Sequence, residues 1–407
     1  MTHGLLVLNA GSSSLKFAVF GIRADADDLA VTLRGQISNI GAAPLFSAWR
    51  QTNGPEGEVQ RAELEGIDSH QRAIAFALDW IEQHSAGMSL RGVGHRVVHG
   101  GSERNAPALI TPALLDELDA LSPLAPHHQP HNLAAIRAVA DAAPQLPQVA
   151  CFDTAFHAVQ PAVARRLPLP ARYRDKGLQR YGFHGLSYEY ITAAVADYHA
   201  GQLPARLIVA HLGNGASLCA IRDGKSIASS MGFSTLDGLL MGSRCGTLDP
   251  GVLLHLLREE QMDERALSDL LYNHSGLLGV SGISSDMQVL LSSDAPAAAE
   301  AIDLFCYTLV RAIGSMSAAL GGFDALVFTG GIGEHATAIR ARVCGELAWL
   351  GLAFDAQSNE RGAALLTRAD SRVKVWVIPT NEELVIARHT RRLVGGARDL
   401  QPDNVKS

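Results

Sequence analysis

Residues 5–20 have the sequence LLVLNAGSSSLKFAVF, in which two short apolar segments flank a turn of small polar residues. The segments 5–8 and 16–20 are predicted to be β-strands, because apolar segments bounded by Gly and Ser are typical of strands. A similar arrangement recurs at 207–221, where one apolar segment leads through HLGNG into a second. This recurrence indicates two related halves.

The rest of the chain alternates short apolar segments with longer amphipathic ones, a pattern that favours an α/β fold. Further strands are predicted at 148–152, 325–328 and 373–378. Helices are predicted at 71–84, 295–320 and 381–394. The region 41–60 is predicted to be irregular because it contains Pro44, Gly54, Pro55 and Gly57.

The composition excludes several classes of protein. With 407 residues, 47% hydrophobic and 18% charged, the chain is long and apolar enough for two or three folded domains and is not disordered. The formal net charge of -7 gives no electrostatic reason to expect nucleic acid as a partner. The five cysteines form no C-x-x-C pair, so neither a zinc site nor a disulfide scaffold is indicated.

The sequence shows neither a basic leader nor an apolar stretch of membrane-spanning length. We therefore expect a cytoplasmic protein with no membrane partner.

Three turns of small residues, at 9–14, 211–215 and 330–334, each follow an apolar segment. Small residues let backbone N–H groups approach an anion, and the third turn opens a predicted helix whose N-terminus favours phosphate. Each turn taken alone is more readily an ordinary tight turn, but three of them in one chain favour a binding role. The motifs G-x-x-x-x-G-K-[ST] and G-x-G-x-x-G are absent, which disfavours a P-loop enzyme or a nicotinamide-binding fold and leaves a nucleotide as a candidate ligand.

Arg96 stands near glycines at the end of a predicted strand, where a guanidinium can bind a carboxylate or phosphate with two hydrogen bonds. The alternative is a surface arginine between structural histidines. The segment PHHQPH at 126–131 is dense in histidine, but its spacing matches no zinc motif, and solvated histidines at a helix start are the simpler interpretation.

Two acidic residues also follow predicted strands. Asp153 comes at the carboxyl end of the strand 148–152, where α/β proteins bind ligands, although a helix-capping role is equally compatible. Thr380 and Glu383 have the spacing of a capping box, which leaves Glu382 available to a hard cation.

Together these segments resemble the signature segments of the acetate kinase family, and they occur in the family's order over nearly the whole chain. They are residues 9–16 (NAGSSSLK), 94–101 (GHRVVHGG), 152–157 (FDTAFH), 180–185 (RYGFHG), 211–215 (HLGNG), 330–334 (GGIGE) and 380–384 (TNEEL). The resemblance implies an α/β fold of two duplicated actin-like ATPase (ribonuclease H-like) domains with an interdomain cleft, usually in a homodimer. The first domain would comprise 1–153 with 386–407, and the second 154–385.

The resemblance also implies a set of site residues. The catalytic positions fall on Arg96, His128, Asp153, His184 and Arg244. The acyl group would lie against Val98 and Phe183, beside Arg96. The metal, Mg²⁺ with Mn²⁺ as the alternative, would be held by Asn9 and Glu382. The nucleotide positions fall on Ser12, Ser14, Lys16, His211, Leu212, Gly213, Asn214, Gly215, Asp286, Met287, Gln288, Gly330, Gly331, Ile332, Gly333 and Glu334.

The implied reaction is the reversible transfer of the ATP γ-phosphoryl group to acetate, giving acetyl phosphate and ADP. Carboxylic acids of this kind titrate near ~4, so acetate is already an anion at neutral pH and needs no general base. The difficulty is its repulsion by the phosphoryl group, which favours fixed positive charge over proton transfer. Arg96 is expected to hold acetate, Arg244 and His184 to stabilise the phosphoryl oxygens, Asp153 to orient metal-bound water or an arginine, and His128 to donate a hydrogen bond.

Four positions depart from the family pattern. His127, Gln129 and Thr235 replace a leucine, an asparagine and a pocket proline, so a propionate or other short-chain acyl kinase is the alternative. Gln288 replaces an arginine beside the nucleoside, which predicts weaker or less selective nucleotide binding. A chaperone-like ATPase is disfavoured because no chain is left for a peptide-binding domain. An inactive homologue is disfavoured because Arg96, Asp153, Arg244 and Glu382 are all present.

Overall fold

The computed structural model describes residues 3–11, 13–22, 29–50 and 58–398. The chain forms two compact units, which are Met1–Ala155 with Asn381–Ser407, and Phe156–Thr380. Each unit is built on one β-sheet flanked by helices.

The first unit contains an eight-stranded sheet in the order β5-β4-β3-β2-β1-β6-β8-β7. Its strands are β1 (His3–Ala10), β2 (Leu15–Ile22), β3 (Leu29–Ser38), β4 (Leu45–Arg50), β5 (Glu58–Glu63), β6 (Ser89–Val97), β7 (Ala108–Leu109) and β8 (Gln148–Phe152). Strands β1, β6 and β8 are parallel, and β1 pairs antiparallel with β2. The strands predicted at 5–8 and 16–20 are confirmed as parts of β1 and β2.

The irregular structure predicted for the region 41–60 is confirmed for 41–44 but is wrong for 45–50 and 58–60, which form strands. Residues 45–50 form β4, which pairs antiparallel with β3 and β5, while 51–57 lie outside the described residues. Phe46 and Ala48 alternate with more exposed neighbours, and the Phe46 ring packs against Phe17 and Trp80. This alternation of buried and exposed side chains is the strand signal, and it outweighs the nearby Pro and Gly.

Helices of the first unit pack on this sheet. The first three are α1 (His70–His84), α2 (Pro112–Ala120) and α3 (Gln129–Ala142). The side chain of Ser69 caps α1, and that of Thr111 caps α2, which has Pro112 in its first turn. The apolar faces of α1 and α3 enclose a core with β1, β2 and β6.

The second unit contains a five-stranded sheet in the order β11-β10-β9-β12-β13. Its strands are β9 (Arg206–Leu212), β10 (Ala216–Arg222), β11 (Lys225–Ser229), β12 (Ala325–Thr329) and β13 (Lys374–Val377). Its helices are α4 (Ala162–Arg165), α5 (Ala171–Arg174), α6 (Gly185–Tyr198), α7 (Pro250–Arg258), α8 (Glu264–Asn273), α9 (Gly276–Ser281), α10 (Met287–Leu291), α11 (Pro296–Leu320), α12 (Gly330–His335), α13 (Thr337–Glu346) and α14 (Ala356–Glu360). Helix α11 ends at Gly321, whose φ of 70° is left-handed, so the predicted stop is confirmed.

Five strands of each sheet share one arrangement. In the first unit, β3, β2 and β1 are antiparallel neighbours, and β1, β6 and β8 are parallel. The second unit repeats this order and these strand directions in β11, β10, β9, β12 and β13. Parallel strands end at the same edge of a sheet, where α/β proteins bind ligands. The predicted motifs therefore gather at one edge within each unit.

The final helix, α15 (Glu382–Arg398), returns to the first unit and packs on β1, β6 and β8. Gly94 in β6 permits this approach, since a Cβ there would lie 2.2 Å from Oγ1 of Thr390 and 2.5 Å from Cγ2 of Ile386. Any larger residue at 94 would push α15 away from the sheet. Among the helices that the structure describes, none has the length and apolar character needed to cross a membrane.

Candidate active site

Arg96 and Asp153 form the central pair of the first unit. Arg96 lies in β6 and Asp153 directly follows β8, the neighbouring parallel strand. The Arg96 guanidinium donates from Nε to Oδ2 of Asp153 at 3.0 Å and from Nη2 to the same oxygen at 2.5 Å. The Asp153 residue is only 1% exposed, so this buried carboxylate has the guanidinium as its counter-charge.

Asn9 and Glu382 lie on either side of the same guanidinium. Nη1 of Arg96 donates to Oδ1 of Asn9 at 3.4 Å, and Nε lies 4.0 Å from a carboxylate oxygen of Glu382. Burial alone would lower the pKa of Arg96, but the charges of Asp153 and Glu382 raise it above its ordinary value. Burial raises the pKa of Glu382, against the opposing effect of Arg96. The four predicted residues are therefore brought together.

The capping box predicted at Thr380 and Glu383 is wrong. The backbone N–H of Leu384 donates to Oδ1 of Asn381 at 3.1 Å, so Asn381 caps α15. Glu383 instead pairs with Nε of Arg34 at 3.1 Å, and Oγ1 of Thr380 accepts a hydrogen bond from Ser187. Asn side chains cap as well as Thr, and the cap therefore falls one residue later. Glu382 keeps its position in the first turn of the helix.

The first of the loops predicted to bind phosphate connects β1 to β2. Gly11 N–H donates to the Ser14 carbonyl at 2.8 Å, which closes the turn, and His70 binds the Gly11 carbonyl through Nε2 at 2.6 Å. Ser14 is half-buried and Lys16 is exposed at the start of β2. The predicted nucleotide residue Ser12 lies outside the described residues.

Two buried amides of α3 support the segment that follows β6. Asn132 accepts from the N–H of Val98 at 3.0 Å and donates to the carbonyl of Ala10 at 2.8 Å. Gln129 accepts from the N–H of His99 and donates to its carbonyl. The predicted acyl-pocket residue Val98 is thus buried and tied to β1, while His128, half-buried, directly precedes α3.

His184 and Arg244 come together in the second unit. His184 precedes α6 in a left-handed conformation, with φ of 59°. A Cβ at Gly215 would lie 2.7 Å from Nη2 of Arg244 and 3.4 Å from Nε2 of His184, so both side chains reach the same point above this glycine. Nη1 of Arg244 donates to the Thr235 carbonyl at 2.7 Å, which holds the side chain.

The turn before His184 is fixed from beneath. Nε2 of His157 donates to the carbonyl of Phe183 at 2.9 Å, and Nδ1 of His157 lies 2.9 Å from Oγ of Ser226. Burial lowers the pKa of His157 to about 4, so this imidazole is neutral at physiological pH. Phe183, predicted to contact the acyl group, is buried at 1% exposure.

A cavity of about 510 Å³ in the second unit is lined by the predicted nucleotide loops. It is lined by Gly213, Asn214, Asp286, Met287, Gln288, Leu291, Ser292, Gly331, Ile332, His335 and Ala336. All three segments predicted from the sequence contribute to it. Its size matches that of small-molecule sites, ~300–1,000 Å³.

The remaining predicted nucleotide residues do not line this cavity. His211, Leu212 and Gly215 belong to β9 and the turn after it, and Leu212 is fully buried. The Glu334 carboxylate accepts from the N–H groups of Gly330 and Thr380, so it caps the start of α12. Gly330 and Gly333 are buried in α12.

Several supporting residues escaped the sequence analysis. Asn132 and Ser217 bind partners distant in sequence, and the ends of α10 and α12 complete the cavity with Leu291, Ser292, His335 and Ala336. Asn132 could have been found from the sequence, because it is an amide among the apolar residues of an amphipathic helix. Ser217 has no comparable sequence signal.

The described residues do not contain a cluster of three or more His, Cys, Asp or Glu side chains arranged for a metal ion. Asn9 and Glu382 nevertheless offer an amide oxygen and a carboxylate. Oxygen donors of this kind suit Mg²⁺. This ion usually keeps several water ligands and is bound by one or two protein oxygens together with substrate phosphates. The residues present therefore fit such an ion.

Comparison with known proteins places these features in one family. Residues 4–388 match the family model described as the Acetokinase family. An acetate kinase of Rhodopseudomonas palustris is 51% identical over 402 residues, which cover 98% of this chain and 100% of the relative. The crystal structure of Porphyromonas gingivalis acetate kinase has a TM-score of 0.86 at 34% identity and covers 96% of this chain and 100% of its own.

A second solved structure bears on substrate choice. A propionate kinase from Francisella tularensis has a TM-score of 0.87 at 34% identity, again with coverage of 96% of this chain and 100% of its own. The mixed α/β architecture of these structures is the actin-like ATPase fold expected from the sequence. The paired Arg96 and Asp153, the nucleotide-loop cavity and these full-length matches lead to one conclusion: the chain belongs to the acetokinase (acetate kinase) family.

Proposed function

We propose that the protein is an acetate kinase, which transfers the γ-phosphoryl group of ATP reversibly to acetate and forms acetyl phosphate and ADP. The observation that carries the proposal is the cavity of about 510 Å³ that Gly213, Gln288 and Gly331 line together. Three segments far apart in sequence supply these residues, each predicted to bind nucleotide. Membership of the acetokinase family supports the identity of the acceptor.

The chemistry asks for positive charge rather than a general base. Acetate is deprotonated at neutral pH, so the barrier lies in bringing a carboxylate to a phosphoryl group. Arg96 would bind the acetate carboxylate. Because Asp153 occupies its Nε–Nη2 edge, acetate would engage the Nη1 side that faces Asn9. Asp153 would hold the arginine in place instead of acting on a proton.

Arg244 and His184 would stabilise the phosphoryl group in transfer. Their Nη2 and Nε2 atoms reach the same point above Gly215, a residue without a side chain to block an oxygen there. Charge-assisted hydrogen bonds to the equatorial oxygens would offset the developing repulsion. His128 is proposed to donate one further hydrogen bond.

Magnesium is the proposed metal, with manganese as the alternative. Asn9 and Glu382 would hold it. When bound, the ion would neutralise charge on the ATP phosphates. Ser14 and Lys16 would contact phosphate from the loop between β1 and β2. These assignments follow the family resemblance and the proximity of Asn9 and Glu382 to Arg96.

One assay tests the proposal. ADP release is measured with and without acetate and with and without Mg²⁺, while hydroxylamine traps any acyl phosphate. We expect ADP and acetyl hydroxamate to form in equal amounts and only when acetate and metal are both present. ADP release that ignores acetate would contradict the assignment.

A propionate kinase is the second candidate, because the Francisella tularensis structure is as similar to this chain as the acetate kinase structure is. Val98 of the first unit and Phe183 of the second are both buried, and each is proposed to contact the acyl group. One extra methylene changes binding by only ~1–3 kcal/mol, so we expect propionate to react more poorly than acetate but measurably. A comparison of kcat/KM for acetate, propionate and butyrate decides between them.

We further propose that the enzyme is a cytoplasmic homodimer, on the family resemblance alone. Light scattering at micromolar concentration should give twice the mass of one chain. A mass equal to one chain would contradict the dimer.

A further inference from the structure

Two stacked histidines in the second unit have their Nδ1 atoms bound to different serines. The rings of His184 and His211 lie 4.3 Å apart between centroids, with 25° between their planes. Nδ1 of His184 lies 2.8 Å from Oγ of Ser217, and Nδ1 of His211 lies 2.8 Å from Oγ of Ser187. Which nitrogen of a neutral imidazole carries the proton is set by what the other nitrogen binds.

The fold brings these four side chains together. Ser217 in β10 is the cross-strand partner of His211 in β9, so their side chains share one face of the sheet. Ser187 belongs to the first turn of α6, and His184 directly precedes that helix. Ser217 is fully buried, so its hydroxyl must find its hydrogen bonds within the protein.

The hydroxyl of Ser217 also contacts the hydroxyl of Tyr188, which is equally buried. Each hydroxyl has one proton to donate. The phenol is the more acidic group, which favours donation from Tyr188 to Ser217 and from Ser217 to Nδ1 of His184. In that arrangement Nδ1 accepts, and the imidazole proton is on Nε2.

The neighbouring histidine takes the opposite form. Oγ of Ser187 donates to Oγ1 of Thr380 at 2.9 Å, which uses its single proton. Its oxygen therefore accepts from Nδ1–H of His211. These hydrogen bonds therefore assign different tautomers to the two adjacent imidazoles, with one serine bound to each.

We propose that Ser217 is a positioning residue that holds His184 as its Nε2–H tautomer, with Tyr188 fixing the direction of the Ser217 hydroxyl. The inference rests on the proposed function, in which His184 donates to the phosphoryl group. Nε2 is the atom that faces Gly215 and the Arg244 guanidinium. A bare Nε2 would present a lone pair to an anionic oxygen, whereas Nε2–H presents a donor.

The test is ¹⁵N NMR of the histidine rings in the full-length protein, with the signals assigned from His184→Gln and His211→Gln. The wild type should show protonated Nε2 in His184 and protonated Nδ1 in His211. Ser217→Ala should move His184 toward the Nδ1–H form and leave His211 unchanged. Tyr188→Phe should leave His211 unchanged and give His184 a mixture of both tautomers, because the Ser217 hydroxyl loses the donor that fixes its direction. A wild-type His184 protonated on Nδ1, or a Ser217→Ala spectrum identical to wild type, would overturn the proposal.

Kinetics give the second readout. Ser217→Ala should lower kcat about 10- to 100-fold while KM for ATP and acetate changes little. Ser217→Thr, which restores the hydroxyl, should recover most of the rate. Ser371→Ala is the matched control, because it removes another buried serine hydroxyl of the same unit. That hydroxyl accepts a hydrogen bond from the N–H of Ala353 and donates one to the carbonyl of Val373. If the wild type makes no acetyl phosphate, the proposed function fails, but the NMR result still decides the tautomer of His184. If Ser217→Ala is fully active, the positioning role of Ser217 is contradicted.

Discussion

The Asp153 carboxylate, 1% exposed, accepts hydrogen bonds from Nε and Nη2 of Arg96, so one edge of the guanidinium is fixed by a buried counter-charge. Two parallel strands, β6 and β8, place the pair side by side. The arrangement gives Arg96 a defined orientation before any substrate binds. Preorganised charge of this kind needs no rearrangement during the reaction.

A double-mutant cycle tests this coupling. Arg96→Lys loses the planar fork, and Asp153→Asn loses the charge that orients it. Each single variant should lower kcat/KM by about 10²- to 10³-fold, and the double variant should be little worse than the poorer single one because both changes disable the same unit. Steady-state kinetics on the four proteins measures this. Losses that multiply would show that the two side chains act independently.

Gly215→Ala should damage activity more than folding. Its Cβ would lie 2.7 Å from Nη2 of Arg244, the end of a flexible side chain that can move aside. We expect kcat to fall by about 10²-fold, as for loss of one transition-state donor, with little change in melting temperature. Gly345→Ala, whose Cβ meets nothing within 4 Å, is the matched control for both measurements. Wild-type kcat in Gly215→Ala would mean that Arg244 does not act above this glycine.

Gln288→Arg should strengthen nucleotide binding. Gln288 is exposed and lines the cavity proposed to bind nucleotide, where a guanidinium would stack on a base or pair with phosphate. A gain of ~0.5–1 kcal/mol corresponds to a fall of about two- to fivefold in KM for ATP. Val289→Arg is the matched control, because it adds the same charge one residue away at an exposed position that does not line the cavity, and its KM for ATP should stay at the wild-type value. An unchanged KM in Gln288→Arg would contradict the prediction.

Stability should fall as the pH drops from 6.5 to about 4. Burial lowers the pKa values of His95 and His157 from 6.5 to about 4, so between these values the unfolded chain binds more protons than the folded one. The free energy of unfolding then decreases with falling pH by ~1.4 kcal/mol per pH unit for each histidine. In His95→Gln, the free energy of unfolding should depend less steeply on pH, by the equivalent of about one bound proton. Urea unfolding followed by circular dichroism at several pH values measures this slope. The exposed His255→Gln should keep the wild-type slope, and equal slopes in all three proteins would be inconsistent with this origin.

The sequence was most informative where a strand runs into a turn. The segments around Asn9, Asp153 and Gly331 each combine an apolar segment with small or acidic residues, and local composition alone marks them. Parallel strands then deliver the motifs of one unit to one edge of its sheet. In the second unit, β9 and β12 bring the turns 211–215 and 330–334 to one edge in this way, whereas Asp286, Met287 and Gln288 reach the cavity from the start of α10.

The long-range hydrogen bonds that hold the candidate site residues in place could not be predicted from the sequence. Asn132 reaches the carbonyl of Ala10, 122 positions away, and Ser217 reaches His184 across a strand and a helix. Such partners depend on register and packing, which a single sequence does not encode as a local pattern. The cap of α15 shows the same limit at short range, because Thr380 and Asn381 are both good caps and only the structure selects Asn381.

Positively charged donors held at fixed positions, rather than proton transfer, are expected to drive the reaction, and kcat of Arg244→Lys is the most direct measure of that fixed position. Lysine keeps the charge, but it cannot bind the Thr235 carbonyl through one nitrogen and present a second above Gly215, as Arg244 does. We expect kcat to fall by about 10²-fold at saturating ATP and acetate, with KM for ATP nearly unchanged. A kcat within about twofold of wild type would contradict it.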